Sequence, residues 1–110
     1  MKRKAFLLNL VSALRKMQCR KGAVIFSGNV LRIGELTGVD NPIKTVVEYL
    51  KVSDKPLIRR NHTNTIFWLT EHGKFANNLV MDFEITNDLK KLDGKVNVEY
   101  YNNEKYVLSN

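Results

Sequence analysis

The spacing of hydrophobic residues predicts that the chain opens with an amphipathic helix. Large apolar side chains recur three and four positions apart, at Leu7, Leu10, Leu14 and Met17. This spacing places them on one side of an α-helix, which we expect over residues 4–21. The opposite side carries polar residues, namely Asn9, Ser12, Arg15 and Lys16. We expect the apolar stripe to pack against the rest of the chain, because two heptads are short for a coiled-coil dimer seam.

A second helical pattern covers residues 31–38. Its apolar residues, which we expect to face the interior, are Leu31, Ile33 and Leu36. Gly38 is the type of residue that ends a helix at little conformational cost. Before this helix, the apolar run of residues 23–26 is bounded by glycines and predicts either a short strand or an extended connector.

A third helix is predicted after a turn. Asp40 or Asn41 offers a side chain that can cap it, and Pro42 suits its first turn. The residues that recur at helical spacing are Ile43, Val46, Val47 and Leu50. Their burial leaves a polar set together on the solvent side: Lys44, Thr45, Glu48 and Lys51.

Two β-rich runs, residues 57–61 and 65–70, then predict a hairpin with a polar tip. Basic and polar side chains crowd the tip and the strand that enters it: Arg59, Arg60, Asn61, His62 and Asn64. They suit a loop that lies along a nucleic-acid backbone or enters a minor groove. The alternative is an edge hairpin whose solvated charges discourage pairing with other strands.

The order of these elements resembles the winged-helix DNA-binding family. The run Leu69-Thr-Glu-His-Gly73 is similar to the leucine-threonine-x-x-glycine ending of small winged-helix transcription regulators. The resemblance covers residues 31–73 and implies an α+β fold, a winged helix-turn-helix with a basic hairpin as its wing. In that family the first strand precedes the second helix and pairs with the wing, a position that either residues 24–26 or residues 30–32 can fill. In the second case Arg32 would face solvent near the wing.

The last third of the chain predicts one more helix and a second hairpin. Over residues 71–85 we expect an inward stripe formed by Phe75, Leu79, Val80 and Phe83. Thr86 and Asn87 can cap a further turn over residues 88–92, which Asp93 and Gly94 then end. Residues 95–101 and 104–108 predict the hairpin, with Asn102 and Asn103 at its turn. We interpret this tyrosine-rich hairpin as a dimerisation or protein-binding surface. Residues 87–92 are an alternative recognition helix, disfavoured because this part of the chain is acidic.

Length and charge fit a single basic domain over residues 1–110. The regions are an N-terminal helix and connector (1–30), the helix-turn-helix and wing (31–73), and the C-terminal helix and hairpin (74–110). The net charge is +7, and residues 1–21 hold seven basic residues and no acid. A positive balance of this size favours a polyanionic partner when it accompanies a DNA-binding pattern.

The sequence offers little for catalysis or metal binding. Cys19, His62 and His72 stand on separate elements without the spacing of metal ligands. We find no phosphate-binding glycine loop and no nucleophile motif, so we predict a protein that is not an enzyme and has no cofactor. No apolar run approaches the ~20 residues of a membrane span. A lone cysteine is consistent with the cytoplasm, where we place the protein.

We therefore predict a sequence-specific double-stranded DNA-binding protein, a homodimeric transcription regulator. The predicted base-reading helix contributes Asn41, Lys44, Thr45, Glu48 and Lys51. The predicted backbone and wing contacts are Arg32, Lys55, Arg59, Arg60, Asn61, His62 and Asn64. A centromere-binding role in plasmid or phage partition, a replication role, and a winged-helix protein-interaction module remain as alternatives.

Overall fold

The computed structural model describes residues 2–17 and 24–94. These residues form five helices and a small sheet. The helices are α1 (Lys2–Lys16), α2 (Ser27–Thr37), α3 (Pro42–Val52), α4 (Glu71–Phe75) and α5 (Asn78–Leu92). The strands are β1 (Ile25–Phe26), β2 (Ile58–Arg60) and β3 (Ile66–Leu69). The predicted second hairpin, residues 95–108, lies outside the described residues.

The three strands form an antiparallel sheet in the order β1-β3-β2. Ile25 pairs with Phe67 across β1 and β3, and Arg59 pairs with Trp68 across β2 and β3. The first strand is therefore the earlier of the two candidates, and Arg32 lies on α2 instead of on a strand. The α+β class is confirmed, and the order of the elements is compatible with a winged helix.

The predicted burial of the first helix's apolar stripe is confirmed, although α1 ends at Lys16 and Met17 is only half-buried. The fully buried side chains of α1 are Phe6, Leu7, Leu10, Val11 and Leu14. They pack with residues of the other helices and of the sheet, among them Val46, Phe67 and Ile85. Arg15, predicted to face solvent, instead donates to the backbone oxygens of Gly73 (2.9 Å) and Ala76 (2.7 Å). It thereby satisfies carbonyls at the end of α4 that the helix itself leaves open.

The helix α2 begins earlier than predicted and buries a different side. Val30 and Gly34 are its buried residues. Of the predicted inward set, Ile33 is half-buried and packs against the core, whereas Leu31 and Leu36 are exposed. Gly34 lies against Pro42 of α3 so closely that an added Cβ would meet the proline ring at 2.4 Å. Gly38 ends the helix with a φ of 78°, as predicted. The two helices therefore meet through a glycine contact instead of through leucines.

The predicted helix over residues 71–85 is two helices. The side chain of Asn77 accepts a hydrogen bond from the backbone of Val80 at 2.9 Å and so caps a new helix, α5. That helix continues to Leu92 without the predicted restart at Thr86. Its buried residues are Met81, Ile85, Asp88 and Leu89. The predicted inward stripe is wrong, because all four of its members are exposed: Phe75, Leu79, Val80 and Phe83.

The Leu69-Thr-Glu-His-Gly73 run forms a tight corner between β3 and α4. The Thr70 hydroxyl donates to the Pro56 carbonyl at 2.6 Å and accepts from the Gly73 backbone N–H at 2.9 Å. Gly73 lies directly against the Leu57 carbonyl, where a Cβ would stand 1.9 Å from the oxygen. The threonine therefore caps α4, and the glycine leaves room for the chain that enters β2.

Candidate nucleic-acid interface

The solvent side of α3 carries most of the predicted recognition set. Asn41, Lys44 and Lys51 are exposed, and Glu48 is half-buried. Thr45 is the exception and must leave the set. Its side chain is buried, and its hydroxyl donates to the Asn41 carbonyl at 2.9 Å, so the group is used within the helix. The side chain of Asn41 makes no capping hydrogen bond, in contrast to the prediction.

The opposite side of α3 is fixed firmly to the domain. Val46 and Tyr49 are fully buried, and the Tyr49 hydroxyl accepts a hydrogen bond from the Leu57 backbone N–H at 2.9 Å. Burial raises the pKa of Tyr49, because the charged phenolate is poorly solvated there, and the Leu57 N–H offsets part of this rise. Leu57 immediately precedes β2. A buried hydrogen bond therefore joins α3 to the residue that leads into the hairpin.

The tip of the hairpin is organised by one asparagine. The Asn61 side-chain oxygen accepts from the backbone N–H groups of Thr65 (2.9 Å) and Ile66 (3.1 Å). Its amide nitrogen donates to the hydroxyls of Thr63 (2.9 Å) and Thr65 (2.7 Å). These contacts use both ends of the amide, so Asn61 shapes the tip. Asn64 adopts a positive φ of 59°, a conformation that asparagine tolerates better than most residues.

The cations of the hairpin differ in their exposure. Arg59 and His62 are exposed, whereas Arg60 is half-buried and donates to the Asn61 carbonyl at 3.4 Å. The loop that leads into β2 adds the exposed Lys55. Arg59, Lys55 and His62 therefore offer charge or hydrogen bonds to a partner more directly than Arg60 does.

Asp82 of α5 and Asp93, which follows this helix, pair with basic residues at the start of α1. Arg3 contacts Asp93 at 2.6 Å, and Lys4 pairs with Asp82. The Asp93 carboxylate raises the pKa of Arg3, mainly through this hydrogen bond. Lys2 lies beside Gly38, in the turn between α2 and α3. Sequence patterns missed these contacts because they join residues about 80 or 90 positions apart.

Five of the remaining cations cluster near α3 and the hairpin. Within residues 2–17 and 24–94, nine lysines and arginines have neither an ion pair nor backbone carbonyl partners on another element. Five of these nine lie between positions 44 and 60: Lys44, Lys51, Lys55, Arg59 and Arg60. Arg32, on the outer side of α2, is also exposed. The uncompensated charge therefore collects on the segment predicted to contact DNA.

An acidic groove of about 470 Å³ lies between the end of α3 and α5. Its lining residues include Asp54, Glu84, Asp88 and Lys91. Burial raises the pKa of Asp88, because its carboxylate is poorly solvated. The nearby Ser53 hydroxyl and the Lys91 ammonium offset part of this rise, since both favour the charged form. The lining holds three carboxylates and two lysines, Lys55 and Lys91, so the groove attracts a polyanion less than the exposed side of α3 does.

Comparison with protein-family models, curated proteins and solved structures finds no match. Function is therefore inferred from the residues of this chain. Among the residues that the structure describes, no cluster of histidine, cysteine or carboxylate side chains has the form of a metal site. No helix in the same part of the chain is long and apolar enough to cross a membrane.

Proposed function

We propose that the protein binds double-stranded DNA sequence-specifically through the exposed side of α3 and the β2-β3 hairpin. One observation carries the proposal: α3 is anchored on one side by Val46 and Tyr49, while its other side presents Lys44 and Lys51 to solvent. An α-helix held in this way fits the major groove of B-DNA. The hairpin then meets the neighbouring backbone, since Leu57, the residue before its first strand, donates its backbone N–H to Tyr49 of α3.

The side chains suggest a division of work between base reading and backbone binding. Lys44 can donate to the acceptors of guanine, and Asn41 matches the edge of adenine. Glu48 can accept from a cytosine amine. Lys51, Lys55 and Arg59 suit phosphates, which fix the register of the protein on the duplex without reading sequence.

We further propose that two copies act together as a transcriptional regulator. A single short helix reads only a few base pairs, and a symmetric dimer doubles the site and spaces its halves by about one helical turn. Partition and replication proteins use DNA binding as well. Cooperative spreading over repeated sites would assign the protein to partition instead of regulation.

The test is a selection of bound duplexes from a random library, followed by salt titration of the selected duplex and a scrambled duplex of equal length. We expect the selected duplex to bind on the order of a thousandfold more tightly at physiological salt. Equal, steeply salt-dependent affinities would leave only a basic surface, and no binding at low salt would refute the proposal.

The hairpin is tested by Arg59→Ala in the same titration. Each phosphate contact that is lost reduces the slope of log affinity against log salt by about one. We expect this reduction for Arg59→Ala, whereas Lys16→Ala, which removes an exposed charge at the far end of α1, should leave the slope unchanged. An unchanged slope for Arg59→Ala would remove the hairpin from the interface.

A further inference from the structure

The three-stranded sheet has one side in the core and one side that faces solvent. Side chains alternate along each strand, so Ile25, Phe67 and Leu69 lie on the core side. Phe26, 63% exposed, and the exposed Arg59 lie on the other side, together with half-buried residues of β3. We call this side the outer sheet face, and it consists of Phe26, Arg59, Ile66 and Trp68.

The tryptophan of the outer sheet face does not serve the core. Among the described residues, the half-buried apolar side chains that pack against the core include neither Ile66 nor Trp68. The Trp68 indole N–H and the Arg59 guanidinium have no hydrogen-bond or ion-pair partner in the same part of the chain. A tryptophan that stabilises a fold is commonly buried, with its N–H bonded to a partner. Trp68 has neither feature, so its ring and its N–H can meet a ligand.

The segments that form the sheet carry positive charge only. Residues 24–34 and 55–70 contain no acid, and their lysines and arginines are Arg32, Lys55, Arg59 and Arg60. Arg59 pairs with Trp68 across β2 and β3, so a guanidinium stands beside the indole. This combination favours an anionic ligand that also has flat apolar groups. A strand of nucleic acid is such a ligand, whereas a protein partner would have to supply several acids.

The positions of the two rings suit neighbouring bases of one strand. Phe26 pairs with Ile66, and Trp68 lies two positions farther along β3 on the same side. Such diagonal neighbours are about 7–8 Å apart and within reach of aromatic side chains. The two rings therefore form one platform, with Arg59 at its edge. Bases inside a duplex show only their edges in the grooves, so a stacking platform requires unpaired bases.

We propose that the outer sheet face binds single-stranded DNA, with bases stacked on Phe26 and Trp68 and a phosphate bound by Arg59. Stacking of this kind tolerates any sequence, because every base has a flat face. The choice of DNA over RNA rests on the proposed function, in which the same protein binds duplex DNA through α3. Arg59 belongs to both surfaces, so the variants below change other residues, and either proposal can fail alone.

The chain contains one tryptophan, so its fluorescence reports on the outer sheet face directly. The full-length protein is titrated at low salt with a thymidine strand and with an abasic strand of equal length, which keeps the phosphates and lacks the bases. We expect the thymidine strand to quench the fluorescence of Trp68 and to bind about tenfold more tightly than the abasic strand. Equal affinities of the two strands, binding without quenching, or no binding would overturn the proposal.

The role of Phe26 is measured against an equally exposed phenylalanine elsewhere. Phe26→Ala should lower affinity for the thymidine strand by about tenfold, because one stacking contact is lost. Phe83→Ala is the control, since Phe83 is 67% exposed on α5, away from the sheet, and its loss should leave the affinity unchanged. Circular dichroism should show that both variants stay folded, because both side chains are exposed. Equal affinities of the two variants would refute stacking on Phe26.

Two further titrations test the class of nucleic acid. A blunt-ended duplex should quench Trp68 much less than the thymidine strand does, since its bases are paired. A uridine strand of equal length compares RNA with DNA. Equal quenching by the duplex would overturn the requirement for unpaired bases, and tighter binding of the uridine strand would overturn the assignment to DNA.

Discussion

At the scale of single residues, the run from Leu69 to Gly73 shows how a short motif fixes the corner between β3 and α4. Leu69 is buried, Thr70 caps α4, and Gly73 lets the carbonyl of Leu57 approach the start of that helix. The motif is visible in the sequence, but the need for a glycine at position 73 is not. The Leu57 carbonyl, which excludes a side chain there, lies 16 positions earlier in the chain. The position of Thr45 was wrong for a related reason: helical spacing put it on the solvent side, although the packed domain buries it.

Gly73→Ala should destabilise the fold. A Cβ placed 1.9 Å from the Leu57 oxygen forces β2 and α4 apart, and overpacking of this kind costs about 1–3 kcal/mol. Thermal unfolding should show a lower midpoint. Gly28→Ala is the control, because a Cβ at that position of α2 meets no atom within 4 Å. Equal midpoints for the two variants would contradict this description of the corner.

Asp88→Asn should raise stability at neutral pH. Burial raises the pKa of Asp88 in the folded chain above the value of about 4 in the unfolded chain. At a pH between these two values, the native state binds more protons than the unfolded state. The contribution of Asp88 to stability therefore falls as pH rises through that window. The difference in free energy of unfolding between the variant and the wild type should therefore grow with pH and level off above the folded-state pKa of Asp88.

Urea unfolding from pH 4 to 8 measures this difference. Asp54→Asn serves as the control, since that carboxylate is 90% exposed in the same groove and should show no such gain. If Asp88→Asn gives no gain in free energy of unfolding, or a gain that shrinks as pH rises, burial of the Asp88 carboxylate does not destabilise the fold.

At the scale of elements, the pattern predicted which elements form better than which sides they bury. The first helix, the two central helices and the first hairpin are present in the predicted order. The buried side was assigned wrongly for α5 and, apart from Ile33, for α2, because periodicity detects an apolar stripe without showing what covers it. In α5 the exposed stripe of Leu79 and Phe83 is as apolar as the buried stripe of Met81 and Ile85. The break at Asn77 was missed because a cap inside a continuous helical pattern leaves little signal.

Tyr49→Phe should loosen the link between α3 and the hairpin. It leaves the Leu57 N–H buried without an acceptor, a loss of about 1–3 kcal/mol. Denaturant unfolding measures the loss, and hydrogen exchange at Leu57 should become faster. Thr45→Val is the control, because it removes a buried hydroxyl from the same helix while Asn41 O keeps the Thr45 backbone N–H as its donor. Similar losses for the two variants would mean that the tyrosine hydroxyl has no special role.

At the scale of the whole molecule, the distribution of charge depends on the fold. Residues 1–21 carry seven basic residues and no acid, but Arg3 and Lys4 are paired with Asp93 and Asp82, and Arg15 donates to backbone carbonyls. Of the nine unpaired cations among the described residues, five lie on α3, the following loop and β2. Composition therefore predicts a polyanionic partner, and the packing of α5 on α1 leaves the segment from α3 to β2 with the largest group of unpaired cations among the described residues.

The most direct test of the account compares Lys44→Ala with Lys16→Ala on the selected and the scrambled duplex. Both variants lose one exposed lysine, but only Lys44 lies on the side of α3 that we propose reads bases. We expect Lys44→Ala to lower affinity for the selected duplex by on the order of tenfold or more, with a much smaller loss on the scrambled duplex. Lys16→Ala should change both affinities little and equally. If Lys44→Ala lowers the two affinities by the same factor, or neither of them, α3 does not read DNA sequence through this residue.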